Sequence, residues 1–109
     1  MSPKADILDH LFAEIAVKAS EDPTKSYTAS LLADAPEKPL RKLSEEVTEA
    51  LIEVMRGDKQ ALAKESADIL YHLLVVWQAA GITPDEVWQV LKDRQGTSGL
   101  VEKANRTSS

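Results

Sequence analysis

No cysteine occurs in the 109 residues, so the chain has neither a disulfide framework nor thiol chemistry. A basic surplus is also missing. Thirteen Lys and Arg stand against 18 Asp and Glu, a net charge of −5. Phosphate backbones attract basic surfaces, so this balance argues against unaided binding of a nucleic-acid polymer. It leaves room for a nucleotide carried in with metal ions. Long hydrophobic runs are absent. The longest nearly apolar stretch, Ile69 to Ala80, is too short to span a bilayer and contains His72. The opening residues, Met1-Ser2-Pro3-Lys4-Ala5-Asp6, hold no apolar signal core. A cytoplasmic protein with no membrane contact is the expectation. Internal repeats and low-complexity segments are missing too. One domain is expected over residues 1–109, with 96–109 a flexible tail.

What is present is an apolar content of 43%, enough to build a core without staples. Helical periodicity dominates it. Ser2-Pro3 reads as a helix start, and Ile7, Leu8, Leu11, Phe12, Ile15 and Ala19 recur at helical spacing to about residue 20. Glu21-Asp22-Pro23 stops that helix. Ser26-Tyr27-Thr28 reads as strand-like or irregular, with Leu31 and Leu32 able to anchor a helical turn. A second long helix follows Pro36 and Pro39. Leu40, Leu43, Val47, Ala50, Leu51 and Val54 form its apolar stripe, beside a charged one of Lys42, Glu46, Glu49, Glu53 and Arg56. Gly57 ends it and Asp58 caps the next helix, about residues 59–79. The second half of that helix is apolar nearly all round, which predicts cover from a partner subunit. Thr83-Pro84-Asp85-Glu86 opens a last helix with capping-box spacing. The expected fold is an all-α antiparallel bundle of four to five helices, completed by dimerisation.

The acids carry the chemistry. Glu49 lies eight residues before Gly57 and Glu65 eight after; Glu46 lies eleven before and Asp68 eleven after. A turn at Gly57 brings Glu49 level with Glu65 and Glu46 with Asp68, roughly 12–17 Å from the turn. Each pair is three residues apart, so its two carboxylates share a helix face. Four carboxylates at one height repel unless a cation sits among them. Mg²⁺ takes hard oxygen ligands and keeps open positions for phosphate. A lone Glu-x-x-Glu is more often a solvated face. The mirror spacing, and the apolar run directly after Asp68, weigh against that reading here. A di-iron site would need two Glu-x-x-His pairs, and neither histidine follows a glutamate by three.

Glu45-Glu46-Val47-Thr48-Glu49 with Glu65-Ser66-Ala67-Asp68 resembles the signature of the all-α NTP pyrophosphohydrolases, the MazG-like superfamily. Further stretches resemble the phosphoribosyl-ATP pyrophosphatases of histidine biosynthesis within it. They are Ser26-Tyr27-Thr28, Lys38 and Lys42, Ala67 to Leu74, and the tail from Gly96 to Arg106. Ala35 and Ser44 stand where that family would place glycines, and Asn105 where it would place serine. The resemblance implies that Glu46, Glu49, Glu65 and Asp68 hold Mg²⁺ and carry catalysis. It implies hydrolysis of phosphoribosyl-ATP to phosphoribosyl-AMP and pyrophosphate; the homodimer is expected from the apolar half of the helix over about 59–79. The alternatives are a housecleaning nucleoside triphosphate pyrophosphohydrolase and a non-catalytic helical dimerisation module.

Lys38 and Lys42 precede Glu46 by two turns and one, and could meet phosphate oxygens. For Lys42 the plainer reading is a surface pair with Glu46. Arg94, Lys103 and Arg106 could close over substrate, or belong to a solvated tail. Glu45 lies about 100° round the helix from Glu46 and is expected to face solvent or a basic neighbour. For His72, a core histidine hydrogen-bonded to a neighbour is the plainer reading than a ligand. Trp77 and Trp88 read as core or interface.

Overall fold

A computed structural model describes residues 4–95. They form five helices and, among the described residues, no strand: α1 (Ile7–Lys18), α2 (Tyr27–Ala33), α3 (Glu37–Arg56), α4 (Lys59–Ala80) and α5 (Pro84–Arg94). The all-α expectation holds.

The first helix is shorter than its periodicity suggests. It begins at Ile7 after a turn in which the Ile7 amide donates to the Lys4 carbonyl, and Asp6 at the N-cap makes no side-chain cap bond. The expected Ser2 cap lies outside the described residues. At the other end Ser20 Oγ donates back to the Val17 carbonyl. Such side-chain bonds compete with the helical ladder, and the helix stops at Lys18.

The segment expected to be irregular is helical. Ser26 is extended and buried, and its hydroxyl accepts from the Ala29 amide at 3.1 Å, so α2 starts at Tyr27. A good N-cap and the burial of Thr28, Ala29 and Leu31 outweigh the strand preference of a Tyr-Thr pair. Asp22 shapes the approach, accepting from both the amide and the hydroxyl of Thr24. The backbone bond to Thr24 is the larger of the two effects that hold its carboxyl below the usual value.

α3 and α4 are an antiparallel hairpin, the most extensive packing in the chain. Gly57 sits at φ 73°, its amide donating to Val54 and the Asp58 amide to Glu53. A Cβ at Gly57 would meet nothing within 4 Å, so the demand for glycine is conformational rather than steric. Asp58 then accepts from the Ala61 amide at 3.0 Å and starts α4. Thr83 and Glu86 close the expected capping box of α5.

The core joins α1, α2 and α4. Ile15, Leu31, Leu74 and Val75 are closed to solvent, with Leu8, Leu11, Phe12, Leu32, Tyr71 and Trp77 packed round them. Each such side chain contributes about 1.5–3 kcal/mol on burial. Trp77 meets Trp88 edge to face at 6.0 Å, and Trp88 Nε1 donates to Asp9 at 3.0 Å, which ties α5 to α4 and α1. Much of the all-round apolar half of α4 is therefore covered from within the chain, although Leu70 stays 42% exposed. The largest group of exposed apolar side chains is on α3: Leu40, Val47, Leu51, Ile52, Val54 and Met55. Ala50 and Pro39 are the buried residues of α3.

Candidate active site

Three of the four acids meet. Carboxylate oxygens of Glu46, Glu49 and Glu65 lie within 4.8 Å of one another across the α3–α4 hairpin. The caps at Gly57 and Asp58 set that register. Glu65 reaches both Glu46 and Glu49, so the hairpin places it between the two levels rather than opposite Glu49 alone. Asp68, one methylene shorter and one turn further on, stands beside the trio and acts electrostatically on Glu65 and His72.

The cluster is short of compensating charge. Lys42 pairs with Glu45 at 3.4 Å rather than with Glu46, and Arg41 also faces Glu45, at 4.0 Å. Glu45 thus meets basic neighbours, as its position round the helix predicts. Arg56 pairs with Glu53 at 3.7 Å. Hydrogen bonding with Glu46 raises the Glu65 carboxyl above its ordinary value, burial and the charges of Glu46 and Asp68 add to this, and Glu49 opposes it. Glu65 Oε2 is buried without a hydrogen-bond partner. Three clustered carboxylates, with one buried oxygen left unsatisfied, suit a hard divalent cation, so the donor set fits Mg²⁺.

His72 is 5% exposed and its Nδ1 has no hydrogen-bond partner, so it is a core histidine without the expected bond at that atom. Burial pulls its pKa below the usual value; Asp68 opposes that shift and Lys42 adds to it. Lys42 therefore lies near the acids. Lys38 borders an open hollow of about 430 Å³ with Asp34, Pro36 and Arg41. Arg94 is in the last turn of α5, exposed and engaged. Lys103 and Arg106 lie outside the described residues.

An aromatic group beside the acids was not singled out by its spacing. The ring of Tyr71 lies 5.0 Å from that of His72 and 6.4 Å from that of Tyr27, and its hydroxyl hydrogen-bonds with Thr28 Oγ1. Burial raises the Tyr71 pKa. Ser26-Tyr27-Thr28 was the available signal, but its role depends on α2 being a helix.

Residues 8–95 match the family described as Phosphoribosyl-ATP pyrophosphohydrolase. A protein of Azospirillum brasilense named phosphoribosyl-ATP pyrophosphatase is 48% identical over 104 residues, covering 95% of this chain and 94% of its own length. One of the same name from Cereibacter sphaeroides is 50% identical over 100 residues, covering 92% and 97%. A third, from Granulibacter bethesdensis, is 46% identical over 114 residues, covering 97% of this chain and 71% of its own length.

Proposed function

The chain belongs to the phosphoribosyl-ATP pyrophosphohydrolase family, and from that membership we propose that it is the hydrolase of histidine biosynthesis that converts phosphoribosyl-ATP to phosphoribosyl-AMP and pyrophosphate. One water is consumed, the bridge between the α- and β-phosphates is cut, and pyrophosphate leaves. Glu46, Glu49, Glu65 and Asp68 hold Mg²⁺ and are the catalytic acids. The observation that carries this reading is the Glu46–Glu49–Glu65 cluster with its unsatisfied Glu65 oxygen.

Bound there, Mg²⁺ neutralises phosphate charge and lowers the pKa of water. The chain's own part is positioning. Two long helices clamped by a tight turn hold the carboxylates at fixed separation. Half-buried Lys42, near His72 and the acids, supplies positive charge towards phosphate oxygens, and Lys38 extends it along α3. Arg94, Lys103 and Arg106 bind substrate from the C-terminal side. No nucleophilic side chain is required.

The outward apolar stripe of α3 supports a homodimer. Leu51 and Val54 are 62% and 56% exposed on the helix that carries Glu46 and Glu49, so a second copy is the partner that closes the bundle. Light scattering at micromolar concentration checks this, and a monomer would count against it. We assign the enzyme to the cytoplasm; no helix among the described residues is long and apolar enough to cross a membrane.

The test is pyrophosphate release from phosphoribosyl-ATP with and without Mg²⁺, in competition with other nucleoside triphosphates. Release that requires Mg²⁺ and prefers phosphoribosyl-ATP is expected. Absence of release, or release undiminished in Glu49→Gln and Asp68→Asn, would overturn the proposal.

A further inference from the structure

A second hollow, of about 300 Å³, lies between the end of α1 and the start of α2, with Tyr71 of α4 on its lining. Lys18 and Lys25 stand on it, with Glu21 between them in sequence, and Tyr27, Thr28 and Tyr71 form its aromatic side. Two ammonium groups against one carboxylate make it locally positive in a chain of net charge −5. Tyr27 is 54% exposed while its neighbours Ser26, Thr28 and Ala29 are buried. The segment is thus anchored in the core and holds one aromatic ring out. Tyr71 backs that ring at an interplanar angle of 18° and is itself fixed by Thr28. Lys18 also sits at the C-terminal end of α1, where a cation complements the helix dipole. That role alone explains neither Lys25 nor the exposed ring.

The hollow and the acids share a helix. Tyr71 follows Asp68 by three residues, about 4.5 Å along α4 and on the same side. Tyr27 also meets the edge of His72, which feels the charge of Asp68. A ligand whose phosphoanhydride reaches the carboxylates can therefore extend into the hollow.

We infer that this hollow receives the phosphoribosyl end of the substrate, its phosphate between Lys18 and Lys25 and the neighbouring base stacked on Tyr27. The inference rests on the proposed reaction. Phosphoribosyl-ATP differs from ATP by one ribose phosphate, remote from the triphosphate. Two lysines give that extra phosphate charge-assisted partners. An exposed aromatic face accepts a base by stacking. The hollow is then what separates this substrate from ATP.

The test compares calorimetric binding of phosphoribosyl-AMP and AMP, with magnesium present. Wild type is expected to bind phosphoribosyl-AMP about tenfold more tightly or better. In Lys18→Ala/Lys25→Ala that ratio falls towards one. Tyr27→Ala weakens both ligands about tenfold, and Tyr27→Phe restores them. Both lysines are exposed, so folding is not at stake, and circular dichroism checks it. A wild-type ratio near one, or a ratio that survives loss of both lysines, overturns the assignment. The hydrolysis assay stands apart. Preferential binding without turnover would sink the reaction and leave the hollow, while turnover with an unmoved ratio would do the reverse.

Discussion

α4 packs against two very different surfaces. Towards α1 and α2 it presents Leu74 and Val75, which close with Ile15 and Leu31 into a core with 0–1% of each side chain exposed. Towards α3 it presents Glu65 and Asp68, facing Glu46 and Glu49. The first surface is complete in one chain. The second holds carboxylates that repel, a buried oxygen with no partner, and a helix whose apolar stripe points away. The closed apolar core lies on the first. On the proposed function, the second is where a cation among the acids and a second copy over α3 would complete it.

Breaking the acidic side should produce the largest effect. On the proposed function, Glu46→Gln is expected to lower turnover by about a hundred- to a thousandfold, since several kcal/mol of transition-state stabilisation would pass through a cation held there. The thermal midpoint of the metal-free protein should hold or rise, because one member of a repelling set is gone. A fallen midpoint with turnover retained would show these acids to be structural. Leu74→Ala is the opposite experiment. It empties a fully covered site and should cost about 2–5 kcal/mol in urea denaturation, while protein still folded keeps its turnover. A cost under about 1 kcal/mol would mean that the core repacks easily and the contrast is overdrawn.

The hairpin turn links the two surfaces and gives a smaller, sharper test. One residue inserted beside Gly57 rotates α4 by about 100° relative to α3 if helicity is kept. Calorimetric Mg²⁺ affinity should drop, while circular dichroism changes little. Lost helix content with retained affinity would refute the role of Gly57 in setting the register of the acids.

The turn is also where the sequence was most legible. Glycine at φ 73° and Asp58 as N-cap follow from residue types with one strong conformational use each, though the expected level pairing of all four acids gives way to a cluster of Glu46, Glu49 and Glu65. The capping box of α5 was legible for the same reason. Ser26-Tyr27-Thr28 was not, because composition favoured a strand while tertiary burial of Thr28 and Leu31 decided for a helix. The apolar stripe of α3 was visible, but its outward direction was not. Periodicity reports that a face is apolar, not what it meets. For Lys42 the plainer reading was a surface pair with Glu46, and the structure pairs it with Glu45, since i,i+3 and i,i+4 neighbours cannot be told apart by spacing. The aromatic hollow needed contacts between Tyr27 and Tyr71, which are far apart in sequence.

The smallest effect separates the two surfaces by pH. His72, on the core side, and Glu65, on the acidic side, each carry a buried atom without a partner, and their pKa values move in opposite directions. His72 is lowered in the folded protein, so its contribution is present above the ordinary 6.5 and is lost as pH falls towards its folded value. Glu65 is raised, so its contribution is fully present below the ordinary 4.5 and is lost as pH rises through its folded value. In metal-free protein, His72→Gln should flatten the fall in thermal midpoint on going below about pH 6.5. Glu65→Gln should instead raise the midpoint relative to wild type above about pH 4.5, by an amount that grows with pH until Glu65 is fully ionised. Mg²⁺ should cancel the Glu65→Gln advantage, since wild type then gains a cation that the variant binds poorly. A Glu65→Gln midpoint that tracks wild type at every pH would mean that the acids do not repel, and the argument for a cation among them would lose its physical basis.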